Sequence, residues 1–234
     1  MANSAYISEV FSSVQGEGRY IGYRQIFIRL AGCIFDCPYC DTDFTAKKLV
    51  EIGTHKMTNP VYSDSFSKAI LEEFDTSSIH SFSFTGGEPL LSPDFLEECA
   101  IYLKKATNKK IFIETSGLVT KEIERFDGLA DIMSVDIKTH SEKVLANIDI
   151  LLKTLTNLKL SEYYLKLILP MGFSENLLEE VCERLSYYGV RQIIAQPVDN
   201  VIDSKGIDVL FDVFYKNNIE VRLIPQSHKL LGIR

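Results

Sequence analysis

Gln25-Ile26-Phe27-Ile28-Arg29-Leu30-Ala31-Gly32-Cys33-Ile34-Phe35-Asp36-Cys37-Pro38-Tyr39-Cys40-Asp41-Thr42 is an apolar strand pattern that runs straight into three cysteines at C-x3-C-x2-C spacing. Cysteines packed this closely on a short loop rarely reach disulfide geometry, so the thiols point to one metal centre. Zinc would want a fourth protein ligand, for which His55 and Asp41 are candidates. An iron–sulfur cube held by three thiolates instead leaves one iron open to a small molecule. Spacing alone admits either.

The strand that delivers this loop is the first of a series. Strand patterns recur at His80 to Phe84, Lys110 to Glu114, Ile132 to Asp136, Tyr164 to Leu169, Arg191 to Gln196 and Glu220 to Ile224. Between them, apolar residues repeat at helical spacing. The first helix carries Phe66, Ile70, Leu71 and Phe74, with Ser63 or Asp64 as its cap; the second opens at Ser92-Pro93, a cap followed by proline at the first helical position. Further helices are expected at Lys121 to Phe126, Val144 to Leu158, Glu175 to Tyr188 and Lys205 to Asn217. Sequential strand–helix units imply right-handed crossovers and a parallel sheet, here curling into an incomplete (β/α)6-type barrel that forms a single domain over residues 1–234. Upstream, Tyr6 to Val10 reads as a strand leading into the Gly-rich turn Gln15-Gly16-Glu17-Gly18, while Thr45 to Tyr62 shows no period and reads as an exposed connection.

Parallel α/β folds bind ligands at the C-terminal ends of their strands. That rim collects the cysteine loop, Gly86-Gly87-Glu88, Thr115-Ser116, Asp136-Ile137-Lys138 and Gln196-Pro197-Val198-Asp199. Gly86 and Gly87 lack a Cβ and admit a close backbone approach, and the Glu88 carboxylate can accept a bond locally or from an ammonium. Cys99 and Cys182 fall inside amphipathic helical patterns and read as packed, inert thiols.

With 234 residues, 46% of them hydrophobic, the chain can bury a substantial core; its net charge of −7 argues against a nucleic-acid footprint and favours a small-molecule ligand. Met1-Ala2-Asn3-Ser4 has neither the basic nor the apolar region of a signal peptide, and no apolar run reaches membrane-spanning length. The expected setting is cytoplasmic, where thiols stay reduced.

Cys33, Cys37 and Cys40, with Tyr39 before the last of them, resemble the cluster motif of the radical S-adenosylmethionine (SAM) enzymes. Together with Phe11-Ser12-Ser13-Val14-Gln15-Gly16-Glu17-Gly18 and Thr85-Gly86-Gly87-Glu88-Pro89, the chain from about Glu9 onward is similar to the 7-carboxy-7-deazaguanine synthase family of queuosine and deazapurine biosynthesis. That resemblance implies a 4Fe-4S cluster on the three cysteines, SAM, and Mg2+ held through the Thr42 hydroxyl. It implies SAM contacts from Tyr39, Cys40, Asp41, Gly87, Glu88, Asp136, Ile137, Lys138, Gln196, Pro197, Val198 and Asp199; the family's common Ser-Pro-Lys is here Asp136-Ile137-Lys138. Val14, Gln15, Gly16, Glu17, Arg29, Thr85, His228 and the terminal carboxylate of Arg234 are the implied contacts of a pterin substrate. The last of these requires an ordered tail, with Leu230, Leu231 and Ile233 packed against the barrel mouth. A flavodoxin or ferredoxin as electron donor and a homodimer are also implied. Two other readings use the same cysteines: an activase of glycyl-radical enzymes, which would need a surface groove for a partner loop, and a non-catalytic zinc module.

Overall fold

The structure is a computed structural model that describes residues 2–40, 42–139, 142–159 and 162–233, without the side chains of 142–144. Among the described residues the main sheet has eight strands. Along the chain they are β1 (Ile7–Val14), β2 (Arg24–Leu30), β3 (Ser81–Gly86), β4 (Lys110–Thr115), β5 (Ile132–Lys138), β6 (Tyr163–Leu169), β7 (Gln192–Pro197) and β8 (Glu220–Leu223). Their order in the sheet is their order in the chain, β2 to β8 parallel and β1 antiparallel on the edge beside β2. The crossovers run through α1 (Ser63–Glu73), α2 (Pro93–Thr107), α3 (Thr120–Arg125), α4 (Glu142–Asn157), α5 (Glu175–Tyr187) and α6 (Ser204–Lys216); α7 (Ser227–Leu231) follows β8. This is the expected strand–helix alternation, and β1 and β8 remain separate edges, so the barrel is not closed by a strand ladder.

Alternation along each strand divides the core in two. Ile26, Ile28, Phe82, Phe84, Ile111, Ile113, Val135, Ile137, Leu165, Leu167, Ile193 and Ala195 join the large cluster packed with the helices. The opposite faces look into the barrel. At its floor, Phe112, Ile132, Tyr164, Ile194 and Ile224 close around Tyr20. The short helical turn Gly18–Tyr20 therefore plugs the floor, and Arg19 fixes it with hydrogen bonds to Glu162 (2.7 Å) and Gln192 (2.5 Å), while the Tyr20 hydroxyl also donates to Glu162. Higher up, the inward positions become polar: Gln25, Ser83, Glu114, Asp136, Lys166 and Gln196.

Three local expectations change. β1 extends to Val14 because Phe11 stacks on Phe27 across the antiparallel pair, with ring centroids 5.2 Å apart. The stretch from Thr45 to Tyr62 is not a bare connection: Leu49–Ile52 and His55–Thr58 form a hairpin, and Val61–Tyr62 pairs with Ser4–Ala5. Val50, Ile52 and Val61 are buried, a pattern too short to stand out among the polar residues around it. Finally, α1 is entered through Tyr62 without a side-chain cap, and Ser63 instead donates its hydroxyl to Glu98 of α2. Ser92 and Pro93 do occupy the cap and first position of α2.

Candidate active site

The C-terminal rim of the parallel strands surrounds a solvent-open cleft. Cys33, Cys37 and Cys40 all line it. Their loop is held by backbone bonds: Gly32 N donates to Phe44 O (3.0 Å), and Cys40 N donates to Cys37 O (3.0 Å). Burial pushes the Cys33 and Cys37 thiols up, with Lys138 acting in the opposite sense. Cys99 and Cys182 are fully buried on α2 and α5, away from this cleft, and burial pushes both thiols to about 12.

The Gly86-Gly87-Glu88 turn leans on the start of the cysteine loop. Gly87 N donates to Leu30 O (3.0 Å) and Glu88 N to Gly32 O (2.9 Å). A Cβ on Gly87 would overlap the Gly32 carbonyl, lying 2.5 Å from its carbon. Close backbone approach is thus needed, but the neighbour is the cysteine loop itself. Glu88 is 1% exposed and its side chain does not line the cleft. Its carboxylate accepts from Thr115 Oγ1 (2.8 Å), Ser116 N (2.8 Å), Ser116 Oγ (2.5 Å) and Leu90 N (3.2 Å). The local role, bracing the ends of β3 and β4, uses up the acceptor expected for an ammonium.

Of the other rim residues, Tyr39, Asp136, Lys138, Gln196 and Val198 line the cleft. Ile137 and Pro197 do not, because strand alternation turns them outward; Ile137 is part of the helix-facing core. Asp199 also turns away and accepts from Lys229 Nζ at 2.9 Å. Asp41 and Arg234 lie outside the described residues.

On the opposite side, Val14, Gln15, Gly16, Glu17, Arg29, Thr85 and His228 all face the cleft, as does Thr42. Arg29 Nη1 donates to Thr42 Oγ1 (3.0 Å), and its Nε lies 3.4 Å from Glu9. The Gln15 amide donates to Gln25 (3.2 Å) and Glu114 (2.7 Å), and its oxygen accepts from Glu17 N (3.1 Å). Gln15 thus shapes the turn with every polar atom engaged by protein. The tail folds over this turn: Ser227 N donates to Gly16 O (2.8 Å), and a Cβ on Gly16 would stand 2.6 Å from His228 Cβ. An ordered tail was expected, but its anchor differs. Leu230, Leu231 and Ile233 are exposed (68%, 65% and 41%), because α7 is fastened through Ser227, His228 and Lys229 instead.

Glu114 and Lys166 escaped the sequence reading, yet both line the cleft, as does Gln226. Lys166 is 3% exposed, pairs with Glu17, and lies 3.3 Å from Asp136, which in turn pairs with Lys138 at 2.7 Å. The signal was a lone lysine in the apolar run Tyr164-Leu165-Lys166-Leu167-Ile168-Leu169, where an ammonium is tolerated only if partnered. Burial works against ionisation of Glu17, but Lys166's charge and bonds from Gln226, Lys166 and Gln196 outweigh it, holding the carboxyl at about 2 against 4.5 normally. Burial pushes Glu114 the other way, toward protonation.

Residues 27–168 match the family described as the Radical SAM superfamily. The 7-carboxy-7-deazaguanine synthase of Methanospirillum hungatei is 38% identical over 233 residues, covering 97% of this chain and 85% of the relative. That of Methanocaldococcus jannaschii is 32% identical over 250 residues, covering 97% and 99%. The chain belongs to the radical SAM superfamily and, within it, to the 7-carboxy-7-deazaguanine synthases. A crystal structure of QueE from Escherichia coli shares the fold, with a TM-score of 0.60 and 22% identity over 94% of this chain and 93% of that one.

A radical SAM lyase carries a 4Fe-4S cluster and SAM, and the donor set here fits both. Three thiols on one wall of an open cleft leave one iron free of protein. Among the described residues, no three His, Cys, Asp or Glu side chains converge as a ready-made site for a single ion, and His55 lies against Glu72 (3.7 Å) away from the cleft. Of the two fourth ligands open to zinc, His55 is thus away from the cleft and Asp41 lies outside the described residues, while the family shown carries the cluster. Activation of a glycyl-radical enzyme gives way to the synthase family's lyase chemistry.

Proposed function

We propose that the protein converts 6-carboxy-5,6,7,8-tetrahydropterin to 7-carboxy-7-deazaguanine with loss of ammonia, in a Mg2+-dependent reaction. The observation that carries this reading is the 3.0 Å bond between Arg29 and Thr42. It places a guanidinium fork, suited to a planar carboxylate, beside a hydroxyl suited to a hard cation. A single neutral hydroxyl holds Mg2+ weakly, so the substrate carboxylate completes the site and metal and substrate bind cooperatively.

Cys33, Cys37 and Cys40 would hold the cluster, whose reduced form with SAM supplies a 5′-deoxyadenosyl radical for hydrogen abstraction. Around it, Tyr39, Gly87, Asp136, Lys138, Gln196 and Val198 form the SAM side of the cleft. Gln15 and Glu17 set the pterin edge of the opposite wall, Thr85 and His228 border it, and the terminal carboxylate of Arg234 is assigned to the ring's N–H groups. The floor plugged by Tyr20 leaves the rim as the route for solvent, which supports exclusion of water once both ligands are seated. A flavodoxin or ferredoxin supplies the electron, the working form is a cytoplasmic homodimer, and the ligands are small molecules rather than nucleic acid or membrane. Among the described residues, no helix is long and apolar enough to cross a membrane.

The test is an anaerobic assay of reconstituted protein with the carboxytetrahydropterin, SAM, a reductant and a Mg2+ titration. Formation of 7-carboxy-7-deazaguanine that rises with Mg2+ is the expected result. SAM cleavage without consumption of the pterin would overturn the substrate assignment.

A further inference from the structure

Lys166 stands between the two walls of the cleft. Its ammonium is shared by Glu17 of the turn after β1 and by Asp136 of β5, at 3.3 Å, with Glu114 of β4, Lys138 of β5 and Tyr164 of its own strand also within its field. The two carboxylates are not equally dependent on it. Asp136 keeps a second cation, Lys138, at 2.7 Å, whereas among the described residues Glu17 has amide donors besides Lys166, the nearest being Gln226 Nε2 at 2.8 Å. Removing the ammonium would leave Asp136 paired and Glu17 without a counter-charge in a barrel interior that already holds Glu114.

We infer that Lys166 is a positioning residue for the substrate side alone: it clamps the Glu17 carboxylate in the orientation that meets the pterin edge, and leaves the SAM side to Asp136 and Lys138. The inference rests on the proposed substrate wall and adds to it a residue that never needs to touch the substrate. Lys166, Gln226 and Gln196 all bond the Glu17 carboxylate, and the acceptor capacity left to it is aimed by those bonds. A merely structural lysine would, when lost, weaken the protein and both ligands alike.

The experiment compares wild type, Lys166→Met, Glu17→Gln and the double variant, all with reconstituted cluster, in steady-state assays and in SAM-binding titrations. Lys166→Met is expected to raise KM for the carboxytetrahydropterin about ten- to a hundredfold, the range of one charge-assisted bond. Its kcat should change far less, and its iron content and SAM Kd should stay within about twofold, below what loss of a whole hydrogen bond would cause. Because Lys166 acts through Glu17, the double variant should have the KM of Glu17→Gln, not the product of the two effects. It also removes both charges of the pair, so it keeps the comparison available should Lys166→Met fail to fold. A KM unchanged in Lys166→Met, a SAM Kd that weakens as much as KM, or a double variant showing the product of two independent losses would each overturn the inference. A wild-type enzyme that cleaves SAM but ignores the pterin would instead overturn the substrate assignment, a result visible before any variant is made.

Discussion

Gly87→Ala tests whether the turn after β3 and the cysteine loop are locked together as tightly as the backbone indicates. Gly87 does not have a positive φ, so alanine meets no intrinsic backbone strain there. The only obstacle is space. The new methyl would sit 2.5 Å from the Gly32 carbonyl carbon and 3.1 Å from Cys33 N, so one backbone must retreat from the other. That retreat strains the bonds from Gly87 N to Leu30 O and from Glu88 N to Gly32 O. Two backbone hydrogen bonds at about 0.5–1.5 kcal/mol each, plus about 1–3 kcal/mol for overpacking, give a loss of roughly 2–6 kcal/mol. For a chain of this size that corresponds to a fall of about 5–20 °C in Tm. The assay is thermal unfolding of the cluster-free protein under anaerobic conditions, followed by iron analysis after reconstitution, since displacing Cys33 should also lower cluster loading. A Tm within about one degree of wild type, less than 1 kcal/mol would cause, together with full iron content, would refute the claimed contact.

Three further outcomes are expected. Cys33→Ala, Cys37→Ala or Cys40→Ala should each abolish iron binding and SAM cleavage, while Cys99→Ala and Cys182→Ala keep both; iron that survives loss of one of the triplet but disappears with a helix cysteine would reverse the assignment. Thr42→Ala should retain the cluster but require more Mg2+ for half-maximal turnover, and an unshifted Mg2+ titration would take Thr42 out of the metal site. Glu17 has a folded-state pKa of about 2 against 4.5 ordinarily, so its contribution to stability is complete above pH 4.5 and declines as the pH falls toward 2. Urea midpoints of the cluster-free protein should therefore fall more steeply between pH 5 and pH 3 in wild type than in Glu17→Gln, and parallel slopes would contradict the depressed pKa.

What could be read from the sequence divides along physical lines. Strand–helix alternation, the cysteine loop and the rim residues that follow each strand are local signals, and the structure has them close to where they were expected. Which way a rim side chain points depends on strand alternation carried to the last residue. That is why Asp136 and Lys138 face the cleft and Ile137 does not. Glu88 could be seen as an acceptor, but its donors, Thr115 and Ser116, come from the neighbouring strand. Lys166 and Glu114 become legible only when five strands are brought round one interior, since their partners lie as far as 149 and 99 residues away. The apolar tail misled for a simpler reason: hydrophobic residues at the end of a chain suggest burial, yet here main-chain and polar contacts fasten the segment.

The turn after one edge strand of the open barrel is bonded directly to the segment after the other edge, with Ser227 reaching Gly16 across 211 residues. Such a junction closes a very long loop with a handful of polar bonds. In a hierarchy of unfolding free energies it belongs near the low end, well below the strands it joins. Amide protons at Ser227 and in α7 should then exchange through a sub-global opening, like a clasp undone on an otherwise rigid ring. Such an opening would part the chamber at one seam without a single strand of the sheet letting go.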